Sequence, residues 1–190
     1  MIVLTADQIG SRSSADAVQG AIDDLNHAFA NDLELDADRT AGDELQLMLD
    51  SGATAITIAL RLSRSRQWSV GLGIGSVREP IGSNIRESTG EAFIAARTAV
   101  ERSKNASTRF AIECPTDAAA AADLEALSNL LLVLRARRSE QGWELYDLVS
   151  TGMTQAEAAS RLGITPQAVS KRASAAELKT DATQRAPRVR

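Results

Sequence analysis

The sequence predicts an α+β domain followed by a small all-α domain built on two short helices and a tight turn. Three observations carry this. Apolar periodicity switches between the strand and helix periods in the order β-α-β-β-α-β-α-β up to residue 113. Residues 154 to 178, TQAEAASRLGITPQAVSKRASAAEL, hold the start and stop signals of two helices about three residues apart. Charge divides at the same place: residues 154 to 190 hold seven Lys/Arg against three Asp/Glu, a net of +4, and the preceding 153 hold fourteen against twenty-two, a net of −8.

Taken in order, Ile2 to Ala6 is a short run of β-formers that reads as a buried strand, ending at Asp7 before a Gly-Ser-Arg-Ser-Ser loop. Val18, Ile22, Leu25 and Phe29 have helical spacing, and the lone histidine, His27, reads as a partly exposed residue of that helix. Leu33 to Thr40 and Leu45 to Leu49 form a hairpin turning at Ala41-Gly42-Asp43. Helix is expected over Ala53 to Arg64 and Gly90 to Lys104, and strand over Trp68 to Ile74 and Thr108 to Glu113. Pro115 to Ala122 reads as an alanine-rich joint. After it Leu124, Leu127, Leu130, Leu131 and Leu134 form an apolar stripe that needs a partner: the sheet, the first helix of the following module, or a second copy of the chain. Arg135, Arg137 and Arg138 suit the last turn of that helix, where the macrodipole favours cations. Ser139, with Trp143, Leu145, Leu148 and Val149, begins another helix. The tail QRAPRVR has no periodicity, and Arg185, Arg188 and Arg190 suit phosphate or minor-groove contact. The expected domains are 1–114 (α+β), 115–138 (linker and connecting helix), 139–180 (all-α) and 181–190 (basic disordered tail).

The two-helix segment is the most specific. Thr154 with Glu157 makes a capping box, and Gly163 ends the first helix in a left-handed conformation. Thr165 caps the second helix with Pro166 in its first turn. Small Ala159 allows close approach, and Leu162, Ile164 and Val169 supply the contacts. This is the helix-turn-helix pattern; the plainer alternative is a helical hairpin that touches no nucleic acid. With Ile164, Ala168 (or Val169) and Arg172 (or Ala173) turned inward, Thr165, Gln167, Ser170, Lys171 and Ser174 face outward, as groove-reading residues do. Thr154, Thr165, Gln167, Ser170, Lys171, Arg172 and Ser174 are the expected DNA-binding residues, and double-stranded DNA the expected partner.

Composition excludes several classes. At 190 residues and 44% hydrophobic the chain can bury one good core and an appended module. No apolar run reaches the ~20 residues of a membrane span, and MIVLTADQIGSR lacks a basic n-region and cleavage site, so a cytoplasmic protein is expected. One cysteine, Cys114, and one histidine leave no internal disulfide, zinc cluster or nucleophile-histidine pair.

In a β-α-β-β order the first strand lies beside the hairpin, so Asp7 can converge with Asp43 and Glu44. Paired carboxylates at strand ends hold Mg²⁺, which clamps a nucleotide's phosphates, and Gly10, Ser11 and Arg12 open the loop toward a helix. Capping alone also explains such aspartates. The segments A-D-Q-I-G-S, T-A-G-D-E-L-Q-L, V-G-L-G-I-G-S-V and T-G-E-A-F-I-A-A-R follow one another in an order that resembles class III nucleotidyl cyclases. The D-x-I-x-S-R start and G-D-E-x-Q segment resemble the SatD family, over roughly residues 2 to 113, and the C-terminal motif resembles sigma-factor region four. The resemblance implies a ferredoxin-like, nucleotidyl cyclase-like sandwich, Asp7 and Asp43 as metal ligands, and Arg97 as the arginine of the signature helix; with it, the loop residues Gly10, Ser11 and Arg12 and the neighbouring Glu44 are the expected ligand-binding residues. Phe93 stands where such cyclases place an asparagine four residues before the arginine, and their lysine-aspartate pair for the base has no counterpart. The expectation is therefore a DNA-binding transcriptional regulator, a homodimer whose first domain dimerises and senses a nucleotide with Mg²⁺. The alternative is a metal-dependent nucleotidyl cyclase or phosphoryl transferase.

Overall fold

A computed structural model describes residues 1 to 178 apart from Arg12 and Ser14. The chain divides into two compact units, Met1–Asn129 and Leu130 onward. The class is α+β: a five-stranded sheet and seven α-helices among the described residues.

Strands β1 (Ile2–Gln8), β2 (Leu35–Ala41), β3 (Glu44–Leu49), β4 (Trp68–Ile74) and β5 (Phe110–Glu113) lie in the order β2-β3-β1-β4-β5. All neighbours are antiparallel except β4 and β5. The first strand was expected to end at Asp7, and it does not. Central β1 continues through it because Asp7 pairs with Glu44 on one side and Ser69 on the other, and Gln8 pairs with Trp68. The last strand begins at Phe110 rather than Thr108, since Arg109 takes a left-handed φ of 56° and closes a turn onto Ala106.

Helices α1 (Val18–Phe29) and α2 (Gly52–Ser63) are joined by Arg61 and Asp24, with Nε to Oδ2 at 2.7 Å. Helix α3 (Glu91–Ser103) packs on β4, β5 and β1. Its seat is explained by β4, WSVGLGI. A Cβ on Gly71 or Gly73 would run into the α3 backbone at Val100 and Ala96, so bare glycine lets the helix lie directly on the strand. Facing them α3 buries Ala92, Ala96, Ala99 and Val100. Val3, Met48 and Ile85 fill the same side, with Ile85 on a short 3-10 turn, Ile85–Glu87. Because strand side chains alternate, Trp68, Val70 and Leu72 face the other side of the sheet.

Helix α4 (Ala118–Ala136) starts within the segment expected to be a joint. Alanine is the strongest helix former, and Asp117 accepts from Ala120 N at 3.0 Å to satisfy the first turn. The second unit is built on α5 (Glu140–Ser150), α6 (Gln155–Leu162) and α7 (Pro166–Ala175) around Leu145, Ala158, Ala159, Val169 and Ala173. Arg135 does sit in the last turn of α4, as expected, while Arg138 lies past the end of the helix. Both are buried, their guanidinium groups 4.9 and 4.4 Å from the Trp143 ring centre, and Arg138 Nε donates to Ala176 O at 3.0 Å. No helix among the described residues is long and apolar enough to cross a membrane.

Candidate functional site

The first candidate lies where β1 runs out beside the β2-β3 turn. The register that pairs Asp7 with Glu44 brings the β1 and β3 carboxylates to one end of the sheet. Gln8 fixes the loop that follows: buried, it donates through Nε2 to Ala15 O at 2.7 Å and accepts through Oε1 from Ala17 N at 3.0 Å. Gly10, at φ 70°, turns the chain, and Ser11 Oγ donates to Asp43 Oδ2. Asp7, Gly10, Ser11 and Asp43 thus line one pocket of about 320 Å³, joined by Ser69, Lys104 and Arg109. Arg12 lies outside the described residues.

Glu44 and Arg97 also meet, though elsewhere. Arg97 Nη1 donates to the buried Glu44 Oε2 at 2.7 Å, and Thr40 Oγ1 donates to Glu44 Oε1 at 2.7 Å. Arg97 lines a separate, shallow hollow of about 990 Å³ with Val77, Arg78, Phe93 and Ile94.

Lys104 and Glu101 escaped the sequence reading. Arg97 and Glu101 lie on one face of α3 with Lys104 following at its C-cap, and the three link the two places. Arg97 Nη2 is 3.7 Å from Glu101 Oε1, and Lys104 Nζ is 3.0 Å from Glu101 Oε1 and 3.2 Å from Asp7 Oδ2. An alternating ionic chain therefore runs Glu44, Arg97, Glu101, Lys104, Asp7. Partial burial works against the Lys104 charge, but Glu101 and Asp7 outweigh it and hold the ammonium pKa above the ordinary lysine value.

Two carboxylates in one pocket are the protein share of a Mg²⁺ site that phosphates and water complete. Among the described residues no group of three or more His, Cys, Asp or Glu is placed to hold a metal. Asp7 is engaged by Lys104 and Asp43 by Ser11. A divalent ion would therefore replace the Lys104 contact on Asp7 rather than fill a ready cage.

The second candidate is α6-α7. Thr154 Oγ1 accepts from Glu157 N at 3.2 Å while Glu157 Oε2 accepts from Thr154 N at 2.7 Å, completing the capping box. Those bonds hold the Glu157 carboxyl below its ordinary pKa, the Thr154 backbone N–H contributing most. Gly163 takes φ 65°, and Thr165 Oγ1 accepts from Ala168 N at 3.2 Å above Pro166. Inward positions are Val169 and Ala173, so Ala168 is exposed. Thr165, Gln167, Ser170, Lys171 and Ser174 are exposed. Arg172 is half-buried, its Nη1 3.1 Å from Glu144 Oε2 on α5. Arg185, Arg188 and Arg190 lie outside the described residues.

Comparison with known proteins leaves both candidates to stand on their geometry. No family model matches the chain, and neither a curated protein nor a solved structure is significantly similar to it.

Proposed function

We propose that the chain is a sequence-specific DNA-binding transcriptional regulator, a cytoplasmic homodimer that reads the major groove with α7. The single observation carrying this is the division of α7. Val169 and Ala173 are buried, while Gln167, Ser170, Lys171 and Ser174, which can hydrogen-bond base edges or phosphates, are exposed near its capped N-terminal half. In this reading α6 and α7 form a helix-turn-helix, with Gln167 suited to adenine and Lys171 to guanine or phosphate. A two-fold dimer would set two such helices about 34–36 Å apart on a palindromic site.

The α+β unit is the sensor in this proposal. The order β2-β3-β1-β4 with antiparallel neighbours suits a ferredoxin-like, nucleotidyl cyclase-like sandwich, and the resemblance to the SatD family suits it too. Mg²⁺ with a nucleotide would be held by Asp7 and Asp43, the ion screening the phosphate charge. Gly10 and Ser11 border the same pocket. The test is binding to duplex from upstream of the chain's own gene and to a scrambled duplex, over a salt series, with and without Mg²⁺ and nucleotides. Tight binding to the native duplex with much weaker binding to the scrambled one at the same salt concentration supports the regulator. Equal, weak binding to both overturns it.

The convergence of Asp7 and Asp43 in one pocket favours one second reading, a metal-dependent nucleotidyl cyclase or phosphoryl transferase. A cyclic product from ATP or GTP with Mn²⁺, lost in Asp43→Ala, would establish it over the first. Phe93 in place of asparagine ranks it second.

A further inference from the structure

Helix α4 carries two faces side by side, and one of them is left open. On the first, Ala121, Ser128, Leu132 and Arg135 are buried, and Glu125 between them accepts from Ile112 N at 2.7 Å. On the second lie Leu124, Leu127, Leu130, Leu131 and Leu134, within about 120° of the helix circumference at 3.6 residues per turn. Leu127 is 66% exposed, Leu130 69% and Leu124 38%, while Leu131 and Leu134 are half-buried. A leucine face of this kind marks an interaction surface.

We propose that this face joins two copies of the chain, with their α4 helices antiparallel about a two-fold axis between Leu127 and Leu131. Spacing and charge both select a second copy as the occupant. Leu124, Leu127, Leu131 and Leu134 alternate steps of three and four, the seam whose side chains fit between those of an identical helix. Asp123 precedes the seam and Arg137 follows it; both are exposed, and neither has an ion pair among the described residues. Antiparallel packing sets Asp123 of one copy beside Arg137 of the other at both ends. Parallel packing sets like charges together. This contact supplies the dimer that the proposed DNA reading uses, but the association itself is measured without DNA, so either can fail alone.

The test is sedimentation equilibrium of the full chain across a concentration series. Wild type is expected to reach twice the 20.2 kDa chain mass. Leu127→Ser with Leu130→Ser should stay monomeric with an unchanged circular dichroism spectrum, since both side chains are exposed. Asp123→Arg or Arg137→Asp should each weaken association about tenfold. The double charge swap, or a mixture of the two single variants, should restore it. A wild type monomeric throughout, or a serine variant that still dimerises, overturns the proposal. A swap that restores nothing overturns the antiparallel arrangement.

Discussion

Substituting Gly73 by alanine tests the feature on which the ionic chain depends. The added Cβ would lie 2.6 Å from Ala96 Cα, with the backbone of Ala92 and Ala96 closer still. No flexible side-chain end is available to move, so α3 itself must shift. Overpacking that side chains can absorb costs about 1–3 kcal/mol. An obstruction made of helix backbone belongs at or above the top of that range. A loss of about 3 kcal/mol is a large share of the ~5–15 kcal/mol that holds an ordinary domain folded, and should lower Tm by about 6–12 °C in a chain of this length.

Urea denaturation followed by Trp68 fluorescence in a Trp143→Phe background reads the α+β unit, because Trp68 lies buried on β4 itself. Gly20→Ala is the control of opposite sign. It sits exposed within α1 with nothing inside 4 Å of an added Cβ, so alanine should stabilise by about 0.5–1 kcal/mol. If Gly73→Ala falls within about 0.5 kcal/mol of wild type, the size of an ordinary surface change, then α3 does not rest on the β4 backbone. The placement of Lys104 over Asp7 would fall with it.

Glu157, whose carboxyl pKa is lowered by its bonds to Thr154, stabilises the fold fully above the ordinary carboxylate value of 4.5, and the contribution disappears as pH falls through the lower folded value. The Tm gap between wild type and Glu157→Ala should therefore be level near neutrality and narrow in acid; a gap that widens in acid contradicts the capping-box charge. Lys104 has the opposite sign: its raised folded pKa makes its contribution complete below 10.5 and lost only as pH rises above that value. Wild type and Lys104→Met should differ by a constant Tm interval from pH 6 to 9 and converge only in strong alkali. For DNA, Gln167→Ala should relax discrimination at one base pair by about 1–3 kcal/mol, read by competition among single-base operator variants. Uniform weakening would remove Gln167 as a base reader. Arg172→Ala should lower stability by no more than about 1 kcal/mol, the worth of a partly exposed ion pair.

Local signals were legible and long-range ones were not. Thr154, Glu157, Gly163, Thr165 and Pro166 act within four residues of themselves, and their bonds follow from sequence alone. The approach of Asp7 to the Asp43-Glu44 turn was legible from strand order. Lys104 reaches Asp7 only because α3 crosses the sheet, a contact 97 residues apart in sequence that periodicity does not report. Its one sequence trace was the alternation Gly71-Leu72-Gly73, a sign of close backbone approach. Alanine-rich 118–122 was misread as a joint because small residues suggest flexibility, whereas poly-alanine behind a capping aspartate starts a helix. The last-turn place of Arg135 was legible, but the burial of Arg135 and Arg138 against Trp143 and Tyr146 was not, because it rests on the stacking that guanidinium allows on rings brought up by the next helix.

Charge on the reading helix argues for the dimeric form of the proposed regulator. Residues 154 to 190 carry a net of +4, but on α7 itself the cations are Lys171 and Arg172, and Glu144 draws Arg172 aside. Each phosphate neutralised contributes about 0.9 to the salt slope on duplex DNA. A single copy of α7 presenting Lys171 as its exposed cation would thus gain little from the backbone and depend on the neutral donors of Gln167, Ser170 and Ser174. Such contacts discriminate between bases better than they hold DNA. Doubling them across a two-fold site makes the second contact intramolecular, and affinity then rises without new charge. In the proposed regulator a weakly charged face on α7 and an open leucine face on α4 would then belong together, α7 supplying specificity and association supplying affinity.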